Sequence, residues 1–500
     1  MNRPRHPYSR LLGATAGATL VLLTGCAVGP DYHRPDVPVT HDRFKEAGGD
    51  WLPAAPADAL SRAPWWTLFN DPQLDQFVAQ VEVSNQNVAA AVASYAQARA
   101  TVREERAAIF PTIDLSAGAT RSGTKSSGSS TVVSTGGTSV TSSGSSRVRN
   151  TYQTDIGASW EPDIWGVLRR GIENANATLS ASAADLQAAT LSARGELVTD
   201  YLSLREADAE IALLEKTVDG YQRALEITQN RYKVGVAPKS DVLSAQSTLY
   251  STQAELEAMR NTRAQYEHAI AVLLGKAPSD FSLAPADWNG TVPNVPVGLP
   301  STLLQRRPDI AAAERNVAAA NATVGIQQAA WFPSLTLSAS YGTSSSSLHK
   351  LFDASSALWS LGASAAETLI DFGARRGAID AARAAYDQAV ASYRETTLEA
   401  FQDVEDNLSA TRALEKQYAL RQQASTAADE NERVLLNQYR AGQVAYSDVV
   451  TAQASALSAR RSLVQVALSR QTTAVALIQA LGGGWQAGDT PQMNATKAQG

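Results

Sequence analysis

Five hundred residues, 44% apolar and 18% charged, suit a large ordered fold and not a disordered chain. The single cysteine excludes a disulfide framework. A formal charge of −6 gives nucleic-acid binding no electrostatic support.

Residues 1–25 read as an export signal, with Arg3, Arg5 and Arg10 ahead of a mostly apolar run from Leu11 to Leu23. Removing them takes the formal charge to −9 and leaves no apolar run of about 18 residues, so no membrane-spanning helix is predicted. Leu23-Thr24-Gly25-Cys26 resembles the bacterial lipobox, in which small residues let a peptidase cut before a cysteine that receives lipid. Cys26 is therefore the candidate lipidation site, against the plainer reading of a chance cysteine near an ordinary cleavage site. In such lipoproteins Asp after the cysteine favours inner-membrane retention; Ala27 stands there, which points to the outer membrane.

Residues 26–70 form a Pro- and Gly-rich arm. The first repeat, 71–276, opens at Asp71-Pro72, a capping residue followed by proline at the first helical position. Gln73 to Ala108 contains no breaker and predicts one long helix. After Phe110-Pro111 the period drops to two, with Ile113, Leu115, Ala117 and Ala119 on one face of a strand. A Ser-, Gly- and Thr-rich loop spans 121–150, and Tyr152, Thr154, Ile156, Ala158 and Trp160 mark a second strand. From Ile172 to Leu214 apolar residues recur at about 3.5 residues, the coiled-coil period. Helix continues to Leu274-Gly275, interrupted near Gly235 and Pro238; stretches of about 50 residues would span about 75 Å.

A connector, 277–300, leads to a second repeat, 301–484, and a flexible tail, 485–500. Strands are predicted over Ser334–Tyr341 and Ala357–Ala366, and Leu481-Gly482 closes this repeat as Leu274-Gly275 closes the first. The correspondence is residue by residue. Tyr232, Gly235, Asp241 and Gln246 return as Tyr439, Gly442, Asp448 and Gln453, each 207 positions on. Ala108-Ile109-Phe110-Pro111 returns as Ala330-Trp331-Phe332-Pro333 at a shift of 222, so a net deletion of 15 residues separates the two blocks. Two copies of one structural unit are present.

The fold predicted is mostly α with a β contribution: two tandem helix–strand–strand–helix repeats and about four strands per chain. Strands of about 8–10 residues can cross a bilayer when tilted. Their apolar faces carry Tyr152, Trp160, Tyr341 and Trp359, as interfacial aromatic belts do, although a soluble sandwich edge would accept them equally. Lipid-exposed strands must close into a barrel, and four are too few. Spanning strands would therefore require oligomers, and a conduit favours twelve strands from a trimer over eight from a dimer.

Several stretches carry a family resemblance. Cys26-Ala27-Val28-Gly29-Pro30-Asp31-Tyr32, Trp65-Trp66-Thr67-Leu68-Phe69-Asn70-Asp71-Pro72, Asp163-Ile164-Trp165-Gly166, Leu303-Leu304-Gln305-Arg306-Arg307-Pro308-Asp309-Ile310 and the doubled Tyr-Gly-Asp-Gln blocks match together. From about Cys26 to Gly482 the chain resembles the outer-membrane efflux proteins, the TolC-like channels, in their lipoprotein branch (NodT/OprM-type). The resemblance implies a homotrimer with a twelve-stranded outer-membrane barrel and a periplasmic α-helical tunnel. It also implies a periplasmic adaptor and an inner-membrane pump, of resistance-nodulation-division type, as partners. Arg306-Arg307-Pro308-Asp309 would begin the second copy, a structural role.

Such channels narrow at the periplasmic tip, ringed by acids. The resemblance places the second-copy tip near Gln422–Asn431, where one long helix should turn into the next, and makes Asp429 and Glu430 gate candidates. A solvated helical face is the competing reading, since Glu432 and Arg433 lie beside them. Asp219 and Arg223, near the corresponding turn of the first copy, are possible closing partners. No catalytic residue, metal site or cofactor is expected apart from lipid on Cys26. His-Glu-x-x-His, Walker, dinucleotide-glycine and nucleophile-elbow motifs are all absent, and the five histidines are scattered. An enzyme has no residues to support it. The alternative from another class is a trimeric structural or adhesive lipoprotein without transport.

Overall fold

The structure, a computed structural model, describes residues 27–37, 44–46, 64–124, 147–288, 290–293, 295 and 307–483. The export signal, Cys26, most of the arm, the outer part of the 121–150 loop, Arg306 and the tail lie outside the described residues. Among the described residues, seven α-helices and four strands follow in order: α1 (Pro72–Ser84), α2 (Gln86–Ala107), β1 (Thr112–Thr124), β2 (Arg147–Trp160), α3 (Val167–Lys233), α4 (Lys239–Leu273), α5 (Pro308–Ala329), β3 (Ser334–Ser345), β4 (Ala357–Ala366), α6 (Ala374–Arg440) and α7 (Tyr446–Ala480). They divide into two compact units. One comprises 1–33, 99–177 and 318–387; the other comprises 34–98, 178–317 and 388–500.

The first unit holds the sheet, an antiparallel meander in the order β1-β2-β3-β4. Register places Leu115, Ile156, Tyr341 and Trp359 in one cross-strand row. All four are exposed in the protomer, as are Ile113 and Leu361 on the same face. The opposite face carries Ser116, Asp155 and Gly342 in register, and Ser116 donates to the Asp155 carboxylate at 2.7 Å. The strands have 13, 14, 12 and 10 residues, so three exceed the expected length. The extra length is polar: Thr120↔Thr151 to Thr124↔Arg147 continue the ladder into residues whose composition reads as loop.

In the second unit, Asp71 caps α1 as its sequence requires, accepting from the Gln73 and Leu74 N–H groups at 2.9 and 3.3 Å. The Tyr201 hydroxyl donates to the other Asp71 oxygen at 2.6 Å, and burial, aided by that bond, pushes the phenol to about 12. The single helix expected over 73–108 is two helices. Asn85 is extended, its Oδ1 accepts from the Asn87 and Val88 N–H groups, and its Nδ2 donates to the Leu273 carbonyl at 3.1 Å. It thus caps a new helix while holding the end of α4.

α3 and α6 each have 67 residues, about 100 Å at the α-helical rise and longer than expected. Their shorter partners α4 and α7 each have 35. The core between them contains Leu197, Tyr201, Leu204, Leu214, Leu408, Val449, Leu477 and Ile478, all buried. α3 and α7 approach closely at Gly195, where a Cβ would sit 1.8 Å from the Gln479 amide nitrogen. Arg307 ties the start of α5 to Asp403 at 3.0 Å and to Asp309 at 2.6 Å, consistent with a structural role. No helix among the described residues is long and apolar enough to cross a membrane.

Candidate functional site

Both long helices end in the same turn. Gly235 (φ 77°) and Gly442 (φ 79°) take the left-handed conformation that glycine adopts without a Cβ penalty. The N–H groups of Val236 and Gln443 reach back to the Arg231 and Gln438 carbonyls at 2.9 Å, and Gly235 and Gly442 donate to Tyr232 and Tyr439. This double bond pattern is the Schellman motif. Asp241 and Asp448 lie in the first turns of the following helices, where an acid favours the positive end of the helix dipole.

These positions correct one expectation. α6 runs unbroken through Gln422–Asn431 and turns only after Arg440, so the second tip lies at 441–445. Asp429 is 11 residues short of the helix end, about 16 Å along the axis. Asp219 is 14 residues short of Lys233, about 21 Å. The family resemblance misplaces this turn; the duplicated glycines mark it.

The two tips are joined in the protomer. Arg231 donates to the Tyr439 and Arg440 carbonyls at 3.1 and 3.2 Å, and its guanidinium carbon lies 4.8 Å from the Tyr439 ring centroid. Below them Tyr221, Leu225, Leu249, Tyr446 and Val449 form a buried cluster. The copies are not equivalent: Tyr439 is buried while its counterpart Tyr232 is half-exposed, beside exposed Val234 and Val236.

The four gate candidates are not brought together. Asp429 pairs with Arg460 of α7 at 2.7 Å, and Glu432 holds the other arm of that guanidinium at 2.8 Å. Glu430 is exposed and binds Arg433 at 2.8 Å, which holds its carboxyl below the usual range. Asp219 and Arg223 are exposed on α3 and contact neither acid.

Sequence reasoning missed two buried charge clusters. Asp208 binds Arg205 at 3.0 Å and Arg263 at 2.6 Å, and both arginines also donate to the connector carbonyls of Ala284 and Leu283. Farther along, Arg461 of α7 pairs with Glu210 of α3 and with Glu255 of α4 at 3.1 Å. Glu206, buried one turn from Glu210, is pushed up to about 7, first by burial and then by the Glu210 charge. The available signal was the crowding of Arg205, Glu206, Asp208 and Glu210 within an otherwise apolar stretch. No group of three or more His, Cys, Asp or Glu side chains among the described residues could hold a metal ion.

The outer membrane efflux protein family matches residues 78–276 and 299–483. The chain belongs to that family. It is 30% identical over 471 residues to the toluene efflux pump outer membrane protein TtgC of Pseudomonas putida, covering 93% of this chain and 94% of that one. It is 27% identical to the cation efflux system protein CusC of Escherichia coli, covering 93% and 97%. The solved outer-membrane channel OprN superposes with a TM-score of 0.82 at 28% identity, covering 92% of this chain and all of that one. This outer membrane efflux protein is thus mostly helical with a small antiparallel sheet, resides in the outer membrane and acts as an efflux channel. The adhesive alternative finds no support among these relatives.

Proposed function

We propose that three copies of this efflux protein close their sheets into one twelve-stranded barrel, continued by a helical tunnel. The observation that carries this reading is the sheet itself. Its edge strands β1 and β4 each pair with only one strand, and its apolar row of Leu115, Ile156, Tyr341 and Trp359 is exposed. An open edge in lipid leaves backbone groups unsatisfied, whereas closure by further copies pairs every edge. The small, polar opposite face suits a wet lumen.

Cargo enters from a periplasmic adaptor and an inner-membrane pump of the resistance-nodulation-division type, which supplies the energy. Relatives named for toluene and for cations each match this chain over 93% of its length, which favours cargo choice outside the channel. Lipid on Cys26 anchors the mature N-terminus. Asp429 and Glu430 line the narrowing a few helical turns inside the tip. Their pairs with Arg460 and Arg433 are at least partly exposed, so re-pairing on opening costs little.

Single-channel recording in a planar bilayer tests the reading. The purified protein should give discrete conductance steps, with larger or more frequent openings in Asp429→Ala/Glu430→Ala. Steps unchanged by the substitutions would remove these two acids from the gate. A folded, inserted protein that never conducts, in either form, would overturn the conduit.

A further inference from the structure

The segment that follows Ala27, the first described residue, is held tightly. The Val28 N–H donates to the Trp165 carbonyl at 3.1 Å. The buried Arg170 side chain donates to the Val28 and Gly29 carbonyls at 3.2 and 3.1 Å and pairs with Asp31 at 3.1 Å. Asn321 donates to the Pro30 carbonyl at 3.0 Å. Gly166 has φ 87°, and a Cβ there would lie 2.8 Å from the Ala27 Cα. Ala27 therefore lies against Gly166, and Cys26 is the residue bonded to it in the sequence.

Gly166 lies between Trp165 and Val167, which form part of the wall of a cavity of about 300 Å³. The apolar lining comes chiefly from Ile164, Trp165, Leu168, Ala330, Phe332 and Leu335, contributed by the three chain segments that meet the sheet. Trp165 and Phe332 stack at 4.6 Å between centroids. The Trp165 Nε1–H is bound to the Pro333 carbonyl at 2.8 Å, so the indole's polar atom is already satisfied. Two of the acids at the rim are neutralised, Asp163 by Arg169 at 3.1 Å and Glu367 by Arg375 at 2.6 Å, and the third, Glu161, is exposed to solvent. Such a cavity accepts a hydrocarbon chain without stranding a charge.

We infer that this cavity is an acyl-chain site, occupied by one of the fatty chains carried on Cys26. The inference rests on lipidation of that cysteine. It goes beyond an anchor trailing into the bilayer: the lipid becomes part of the protein's packing where the sheet meets the helices. Each methylene kept out of water is favoured roughly fourfold, in the cavity as in the bilayer, so the choice between them falls to nearness and packing. A tethered chain also needs little search, because the residue that carries it is bonded to Ala27, which lies against Gly166.

A photoreactive fatty acid tests this. Cells expressing the full protein are fed a diazirine-bearing analogue that enters the lipid on Cys26, membranes are irradiated, and cross-linked peptides are mapped by mass spectrometry. Cross-links should concentrate in the peptides containing Ile164–Leu168 and Ala330–Leu335. Ala330→Trp, which fills the cavity, should lower them about tenfold, and Leu335→Trp serves if the first variant does not fold. Lipidated Cys26 whose cross-links fall on phospholipid or on other peptides overturns the acyl site and leaves lipidation standing. An intact mass showing unmodified Cys26 overturns lipidation, and the site with it.

Discussion

Glu206 offers the sharpest test of the helical packing. It is buried beside Glu210, with Arg461 of α7 facing the pair and Glu255 of α4 sharing that arginine. One guanidinium serves three carboxyl groups, so Glu206 holds its proton above the usual carboxylate range. The carboxyl of Glu206 is raised from 4.5 to about 7. The bound proton thus stabilises the packed state fully below pH 4.5, and that stabilisation is lost as pH rises to about 7. The loss is about 3 kcal/mol in all. For an opening that exposes Glu206, the same linkage makes opening roughly 60-fold easier at pH 7.5 than at pH 5. Hydrogen exchange of peptides covering Tyr201–Leu214, corrected for intrinsic rates, reads this directly. Glu206→Gln keeps the size and the donor but removes the titration, so its protection should be flat with pH and higher than the parent's at pH 7.5. An unchanged slope in the variant, or parent protection that rises with pH, refutes the reasoning.

Three further substitutions probe the turns. Arg231→Ala removes two bonds to carbonyls of the second tip and the contact with the Tyr439 ring, and should loosen residues 436–446 by about 2 kcal/mol, seen as faster local exchange. Gly275→Ala should cost more than Gly235→Ala in thermal melting. Both have positive φ, worth about 1 kcal/mol, but at Gly275 the new Cβ would also meet the Ser84 carbonyl oxygen at 2.4 Å, whereas Gly235 has open space. Equal melting points for the two would refute that close approach.

Much of the fold was legible because each element announces its period. The change from period two at Trp160 to helical spacing at Ile172 places a strand and a helix with no tertiary information. Asp71-Pro72 announces a cap that the structure reproduces. The break at Asn85 was hidden because its cause is the Leu273 carbonyl, 188 residues away. The strands outran their apolar alternation because a partner strand rewards backbone pairing whatever the side chains. The family resemblance misplaces the second tip, although Gly235 and Gly442 carry the conformation that ends each long helix. The Glu206 cluster is half legible: the crowded charges from Arg205 to Glu210 stand in the sequence, but Arg461 arrives from 251 positions beyond Glu210.

The matched lengths of the two helix pairs, 67 and 35 residues in both copies, constrain how this protein can change. One residue inserted into α3 alone would rotate everything beyond it by about 100° and advance it about 1.5 Å, pulling Arg231 off the Tyr439 carbonyl. The 15-residue difference between the copies accordingly falls wholly between Pro111 and Val167, in the strand–loop–strand segment. Length is free to drift only at the far end of the hairpins, and the helices behave as a pair of gauges in which either must be altered in step with the other.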